Sequence, residues 1–152
     1  MAKAPVSNLE DHLGYWLRYV SNQVSQAFAR KILARNVTVA EWVMLRVLYE
    51  HELLAPSALA ERMGMSRGAI SKLTDRLVVK ALVTRSADKD DRRYQTLALT
   101  HAGRALVPEL SALADANDAE FFSALVPADR DAVMRIMQDI VHRLGLRAPP
   151  VD

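Results

Sequence analysis

Pro56-Ser57-Ala58-Leu59-Ala60-Glu61-Arg62-Met63-Gly64-Met65-Ser66-Arg67-Gly68-Ala69-Ile70-Ser71-Lys72-Leu73-Thr74-Asp75-Arg76-Leu77 has the spacing of two short helices meeting at a tight turn. Pro56 suits a first helical position, where its missing N–H has no helical partner to lose. Leu59 and Met63 face inward from the first helix, and small Ala60 admits close approach of the second. Gly64 supplies the positive φ of the turn. Met65 plugs the corner and Ser66 caps the second helix. Ile70, Leu73 and Leu77 then anchor that helix, which leaves Arg67, Gly68, Ser71, Lys72, Asp75 and Arg76 facing outward. An outward basic face on the second helix of a helix-turn-helix is what the DNA major groove accepts. An ordinary αα-corner shares this spacing, so the residues after Leu77 decide between the two.

Beyond Ala81 the period changes. Leu82–Arg85 and Gln95–Leu99 read as two strands, the second with Leu97 and Leu99 on one face. Between them lies a charged tip, Ser86 to Tyr94. A recognition helix succeeded at once by a hairpin with a basic tip is a winged helix, whose wing can lay an arginine in the minor groove. Residues 62–93 hold nine basic and four acidic side chains, a balance of +5. Residues 106–140 hold seven acidic and two basic, a balance of −5. A polyanion-binding middle beside an acidic end fits this arrangement, although solvated surface charge alone would give the same counts.

Outside the lobe the periodicity is helical. Ser7-Asn8-Leu9-Glu10 reads as a capping box. Behind it Leu9, Leu13, Trp16, Leu17, Val20, Val24, Phe28 and Ile32 recur at three- and four-residue steps, predicting one long amphipathic helix that ends near Asn36. Thr38-Val39-Ala40-Glu41 is a second capping box, with Val37 and Trp42 placed as a hydrophobic staple. Its helix carries Trp42, Leu45, Val47, Leu48 and Tyr49. Leu53-Leu54-Ala55 is a short apolar connector. Thr100 caps a further helix expected to run to about Leu125, with a kink near Pro108. Pro127 opens a last one through Val133, Ile136, Met137, Ile140 and Leu144, ended by Gly145. The expected architecture is mainly α with a small β-hairpin wing. Long apolar-striped helices at both ends have no partner in so short a chain, which points to an intertwined helical homodimer.

The 152 residues suit one domain, and the 51% apolar and 25% charged fractions suit a folded soluble chain. No apolar run approaches the ~18 residues of a membrane span, and the N-terminus has no apolar signal core. The absence of cysteine excludes disulfides, thiol nucleophiles and thiol redox sensing. His12, His51, His101 and His142 lack metal-ligand spacing. Ser66-Arg67-Gly68 has no strand before it and so is no nucleophile elbow. No phosphate loop, and hence no cofactor, is legible. These features suit a cytoplasmic, non-enzymatic chain with no membrane partner.

Asp91-Arg92-Arg93-Tyr94-Gln95-Thr96-Leu97-Ala98-Leu99-Thr100-His101-Ala102-Gly103 resembles the wing signature of the MarR family of bacterial transcription regulators, an Asp-x-Arg followed by Leu-x-Leu-Thr-x-x-Gly. The resemblance extends from about residue 9 to 145. It implies a homodimer on a double-stranded, pseudopalindromic DNA operator, with dimerisation helices at about 9–34 and 104–145 and a winged lobe at about 38–100. It implies that Ser66, Arg67, Gly68, Ser71, Lys72 and Arg76 meet DNA, with Arg92 and Arg93 in the wing and Asp91 orienting Arg93. It implies a repressor released by a small, aromatic or phenolic, anionic effector, in a pocket formed by Trp16, Tyr19, Arg46 and Tyr49. Those four residues also suit ordinary core and surface roles. A DNA-binding dimer without an effector, acting constitutively or architecturally, is the alternative. Many family members carry glycine where this chain has Ala81; if the backbone there needs positive φ, alanine costs about 1 kcal/mol.

Overall fold

A computed structural model describes residues 4–87, 90–91 and 94–147. Six helices and one hairpin occur in the order α1 (Leu13–Leu33), α2 (Val39–Tyr49), α3 (Pro56–Met63), α4 (Arg67–Val79), β1 (Val83–Ala87), β2 (Gln95–Leu99), α5 (His101–Phe122) and α6 (Pro127–Leu144). This is the expected mainly α winged helix, with boundary corrections. The first helix begins later than its apolar stripe. A single 3-10 turn, Leu9–Asp11, precedes it, and His12 is extended at φ −97°. The capping carboxylate is that of Asp11, which accepts from the Asn8 N–H at 3.0 Å, rather than that of Glu10 toward Ser7. The first wing strand runs two residues further than expected, to Ala87, and α5 ends at Phe122.

One core joins α1, α2 and α5 to the lobe. Ile32, Met44, Leu45, Leu48, Leu59, Ile70, Leu77, Leu97 and Leu110 are its fully buried members. The strands pair antiparallel with Val83 opposite Leu99 and Arg85 opposite Leu97. The connector before α3 is more than a linker: Leu54 bridges to Leu97 through N–H···O bonds of 2.9 and 2.8 Å, adding a third, one-residue strand to the wing's base. A single bridge leaves no period for a sequence reading to detect. The Lys31 ammonium donates to Asn117 Oδ1 at 2.9 Å, and Asn117 Nδ2 donates to the Val24 carbonyl at 3.1 Å. These bonds clip α1 to α5. Arg35 pairs with Glu109 across the same seam.

Four helices end in the same way. Two to four residues past the helix end an N–H bonds to a carbonyl five residues back, and the N–H before it bonds to the next carbonyl along. The pairs are Val37 to Ile32 with Asn36 to Leu33, Met65 to Ala60 with Gly64 to Glu61, Leu82 to Leu77 with Ala81 to Val78, and Leu146 to Val141 with Gly145 to His142. This termination needs a left-handed residue. Gly64, Gly145 and Asn36 supply it at φ 63°, 57° and 57°; the fourth is Ala81 at φ 58°. The suspected strain is therefore present, and the Thr100 hydroxyl holds it by donating to the Ala81 carbonyl at 2.7 Å. Ala81→Gly is expected to raise stability by about 0.5–1 kcal/mol, read as a higher midpoint in urea with an unchanged slope.

The long apolar helices are conspicuously uncovered. No residue of α6 is buried, and Val133, Met134, Ile136, Met137, Val141 and Leu144 are exposed. Leu9, Leu13, Trp16, Leu17 and Val20 are exposed at the other end of the chain. Arg130 anchors the start of α6 by donating to Asp118 of α5 at 2.7 Å, a hydrogen bond that raises the guanidinium pKa above its usual value.

Candidate nucleic-acid interface

The lobe presents α4 by burying one side of it and capping its start. Ile70, Leu73 and Leu77 are buried, as is Thr74, whose hydroxyl is satisfied by the Ile70 carbonyl at 2.7 Å. Ser66 Oγ accepts from the Ala69 N–H at 3.2 Å, fixing where the helix begins. Arg67, Gly68, Ser71, Lys72 and Arg76 are all exposed. A Cβ built on Gly68 would meet nothing within 4 Å, so the lobe's own packing does not require glycine there. Asp75, outward as expected, is not free: Arg85 of β1 donates to it at 2.6 Å. That bond fastens the wing to the middle of the recognition helix. Asp75 is the one acid among the outward residues of α4 picked out in the sequence, and this was the available signal for a basic partner nearby.

The start of α4 and the tip end of the wing's second strand share a face. Arg67, Tyr94 and Gln95 line a shallow hollow of about 220 Å³ together with Pro56 and Ser57 of α3. Beside it, a cleft of about 660 Å³ separates Leu53–Ala55 and Ala58 from Ser86, Ala87, Tyr94 and Thr96. Asp91 is exposed at the wing, and its carbonyl accepts from the Tyr94 N–H at 3.0 Å. Arg92 and Arg93 lie outside the described residues. A basic helix flanked by a wing held at a fixed angle can read one groove and touch the next.

The four residues expected to line an effector pocket fall into two groups. Arg46 and Tyr49 are together: the Arg46 guanidinium lies 6.0 Å from the centre of the Tyr49 ring, and Arg104 lies 5.2 Å from the same ring. Arg46 also pairs with Glu50 at 2.8 Å. Trp16 and Tyr19 flank Tyr15 on α1 at ring distances of 5.3 and 6.4 Å, both exposed, and Trp16 Nε1 donates to the Glu10 carbonyl at 3.0 Å. Neither cleft described above is lined by any of the four.

The capping box opening α2 is half formed, and the missing half is informative. Thr38 Oγ1 accepts from the Glu41 N–H at 3.2 Å, but the Glu41 carboxylate does not return to the cap. It is buried, 1% exposed, and accepts from the Lys80 ammonium at 2.7 Å. Local spacing gave no sign of this pair, because its members are separated by two helices and a turn.

Residues 37–94 match the model of the MarR family. A putative transcriptional regulatory protein for the hcr operon of Thauera aromatica is 27% identical over 144 residues, 94% of this chain and 87% of the relative. The crystal structure of CouR from Rhodococcus jostii, bound to p-coumaroyl-CoA, superposes with a TM-score of 0.76 at 26% identity, covering 93% of this chain and 96% of that one. The winged lobe of the chain, residues 37–94, is thus similar to the MarR family. The chain is a DNA-binding transcription regulator. A structure of Bordetella bronchiseptica BpsR, described as regulated in DNA binding by 6-hydroxynicotinic acid, shares the fold at a TM-score of 0.77 and 24% identity, covering 90% and 97% of the two chains. No helix among the described residues is long and apolar enough to cross a membrane.

Proposed function

We propose that this protein is a MarR-family homodimeric repressor that binds a pseudopalindromic operator and leaves it when a small aromatic anion binds. The observation that carries the DNA half is the exposed row Arg67, Gly68, Ser71, Lys72 and Arg76 on a helix bonded to its wing through Asp75 and Arg85. Ser66 presents the start of that helix to the backbone, while Asp91, Arg92 and Arg93 serve the minor groove. The dimer forms through residues 9–34 and 104–145, and a lobe spans residues 38–100 of each copy. Its two recognition helices meet half-sites roughly 10 base pairs apart.

Arg67→Ala and Lys72→Ala are expected to lose base discrimination by about 1–3 kcal/mol at one operator position each. Competition among single-base operator variants checks this. An equal loss on random duplex would make both residues phosphate contacts.

The effector half draws support from the aromatic ligands of CouR and BpsR and from the two guanidinium groups that lie over the Tyr49 ring. Arg46 would exchange Glu50 for a ligand carboxylate, with Trp16 and Tyr19 completing the pocket. A bound ligand changes DNA affinity only by preferring one spacing of the lobes. Without cysteine, no thiol switch is available. The existing Arg46–Glu50 pair favours a second reading, a DNA-binding dimer with no effector. Titrating benzoate and 6-hydroxynicotinate against the operator complex separates the two. Release by either, abolished in Arg46→Ala with ligand-free binding intact, supports the first; no release by any aromatic carboxylate or phenol supports the second.

A further inference from the structure

The recognition helix is held at its far end by a contact that faces the scaffold. Lys80 closes α4, and its ammonium donates to Glu41 Oε2 at 2.7 Å and to the Asn36 carbonyl at 2.7 Å. Asn36 is the left-handed residue that ends α1, and Glu41 lies in the first turn of α2. The lysine side chain is 24% exposed and the glutamate 1%. One cation therefore joins the corner between the first two helices to the C-terminus of the helix that carries the basic face. Among the described lysines and arginines of α3, α4 and the strands, it is the one whose charge meets a buried carboxylate.

We propose that Lys80 is a positioning residue for DNA recognition: it does not touch DNA but sets the angle of α4 against the α1–α2 corner, and with it the register of the recognition helices. This rests on the DNA-binding reading. The physical reason is that a buried carboxylate admits few geometries. Glu41 cannot turn to solvent, so Lys80 must follow it, and the Asn36 carbonyl fixes the remaining direction. Ala81, directly after Lys80, is itself held by Thr100. The end of α4 is thus pinned from both sides, and a shift of α1 at its C-terminus is carried into α4. A phosphate-binding lysine is different: exposed, and free to release counterions when DNA arrives.

The test uses full-length protein and the duplex that the parent selects from a randomised pool. It compares the parent with Lys80→Met, Lys80→Arg and the double variant Lys80→Met/Glu41→Met. Removing only the lysine strands a buried charge, whereas replacing both partners with apolar side chains can restore stability. Thermal midpoint, affinity for the selected duplex, affinity for a scrambled duplex and salt dependence are measured. Lys80→Met is expected to weaken selected-duplex binding roughly tenfold, 1.4 kcal/mol, with the scrambled duplex and the salt slope unchanged. Lys80→Arg restores most of the affinity. The double variant regains the thermal midpoint but not the affinity. If the double variant regains both, the pair is merely structural and the proposal fails. If Lys80→Met loses about one unit of salt slope, Lys80 is a phosphate contact and the proposal also fails. A parent that selects no duplex overturns the DNA-binding reading itself.

Discussion

Gly103→Ala is expected to cost about 3 kcal/mol or more, lowering the thermal midpoint by roughly 6–12 °C for a chain of this size. A Cβ at position 103 would lie 2.1 Å from the Leu82 carbonyl oxygen and 3.1 Å from its carbon. Both atoms are backbone, so no side chain can swing aside. Relief requires lifting the start of α5 off the first wing strand. That movement strains the Thr100 N–H bond to the Leu82 carbonyl, 3.0 Å, and the Thr100 hydroxyl bond to Ala81. Thr100 is also the N-cap of α5, accepting from the Gly103 N–H at 3.0 Å, so the cap is disturbed at the same time. Gly14→Ala is the control, since nothing lies within 4 Å of a Cβ built there. It should be neutral or slightly stabilising, by up to about 1 kcal/mol, because alanine is the better helix former. Circular dichroism melts of the two variants beside the parent decide the matter; a Gly103→Ala midpoint within about 2 °C of the parent would exclude the close approach.

Leu144→Asp is expected to dissociate the proposed dimer at micromolar concentration and to weaken operator binding at least a hundredfold, or about 2.7 kcal/mol. Leu144 is 65% exposed in the single chain, at the end of a helix with no buried residue. A substitution there removes nothing from the core of one protomer, so the folded lobe should survive it. In the dimer the same position would bury a carboxylate without a partner, which is strongly unfavourable. The loss of DNA affinity arises because one lobe alone forfeits the second half-site. Sedimentation velocity reads the oligomeric state, and anisotropy with one-half-site and two-half-site duplexes reads the binding. A variant that remains dimeric would place the interface elsewhere, and a parent that sediments as a monomer would overturn the dimer.

The lobe was legible in the sequence because its signals are local. Pro56, Gly64 and Ser66 mark a start, a turn and a second start within eleven residues. The buried positions Leu59, Met63, Ile70, Leu73 and Leu77 keep one period. Thr100 announced α5 in the same way. The outward row of α4, Asp75 included, was read from the same wheel, which could not assign the partners of Asp75, Arg85 and Lys80. Their partners lie ten to forty-four residues away in the chain, and helical periodicity carries no information at that range. Leu54 was read as a connector because a lone bridge has no repeat. Trp16 and Tyr19 entered the expected pocket through the family resemblance, beside ordinary core and surface roles. Their exposure next to exposed Leu13 and Leu17 also suits a surface that a second chain covers.

Because α6 is the last of the described helices and buries none of its own side chains, the molecule is made in an order that matters. On the ribosome the residues of the lobe emerge before those of α6, and domains generally fold as they appear. The apolar stripe of α6 comes later and, in the proposed dimer, stays wet until a second chain arrives. Copy number then becomes part of the fold: a sparsely expressed regulator would spend longer as a sticky single chain, and its apparent stability would rise with its own concentration.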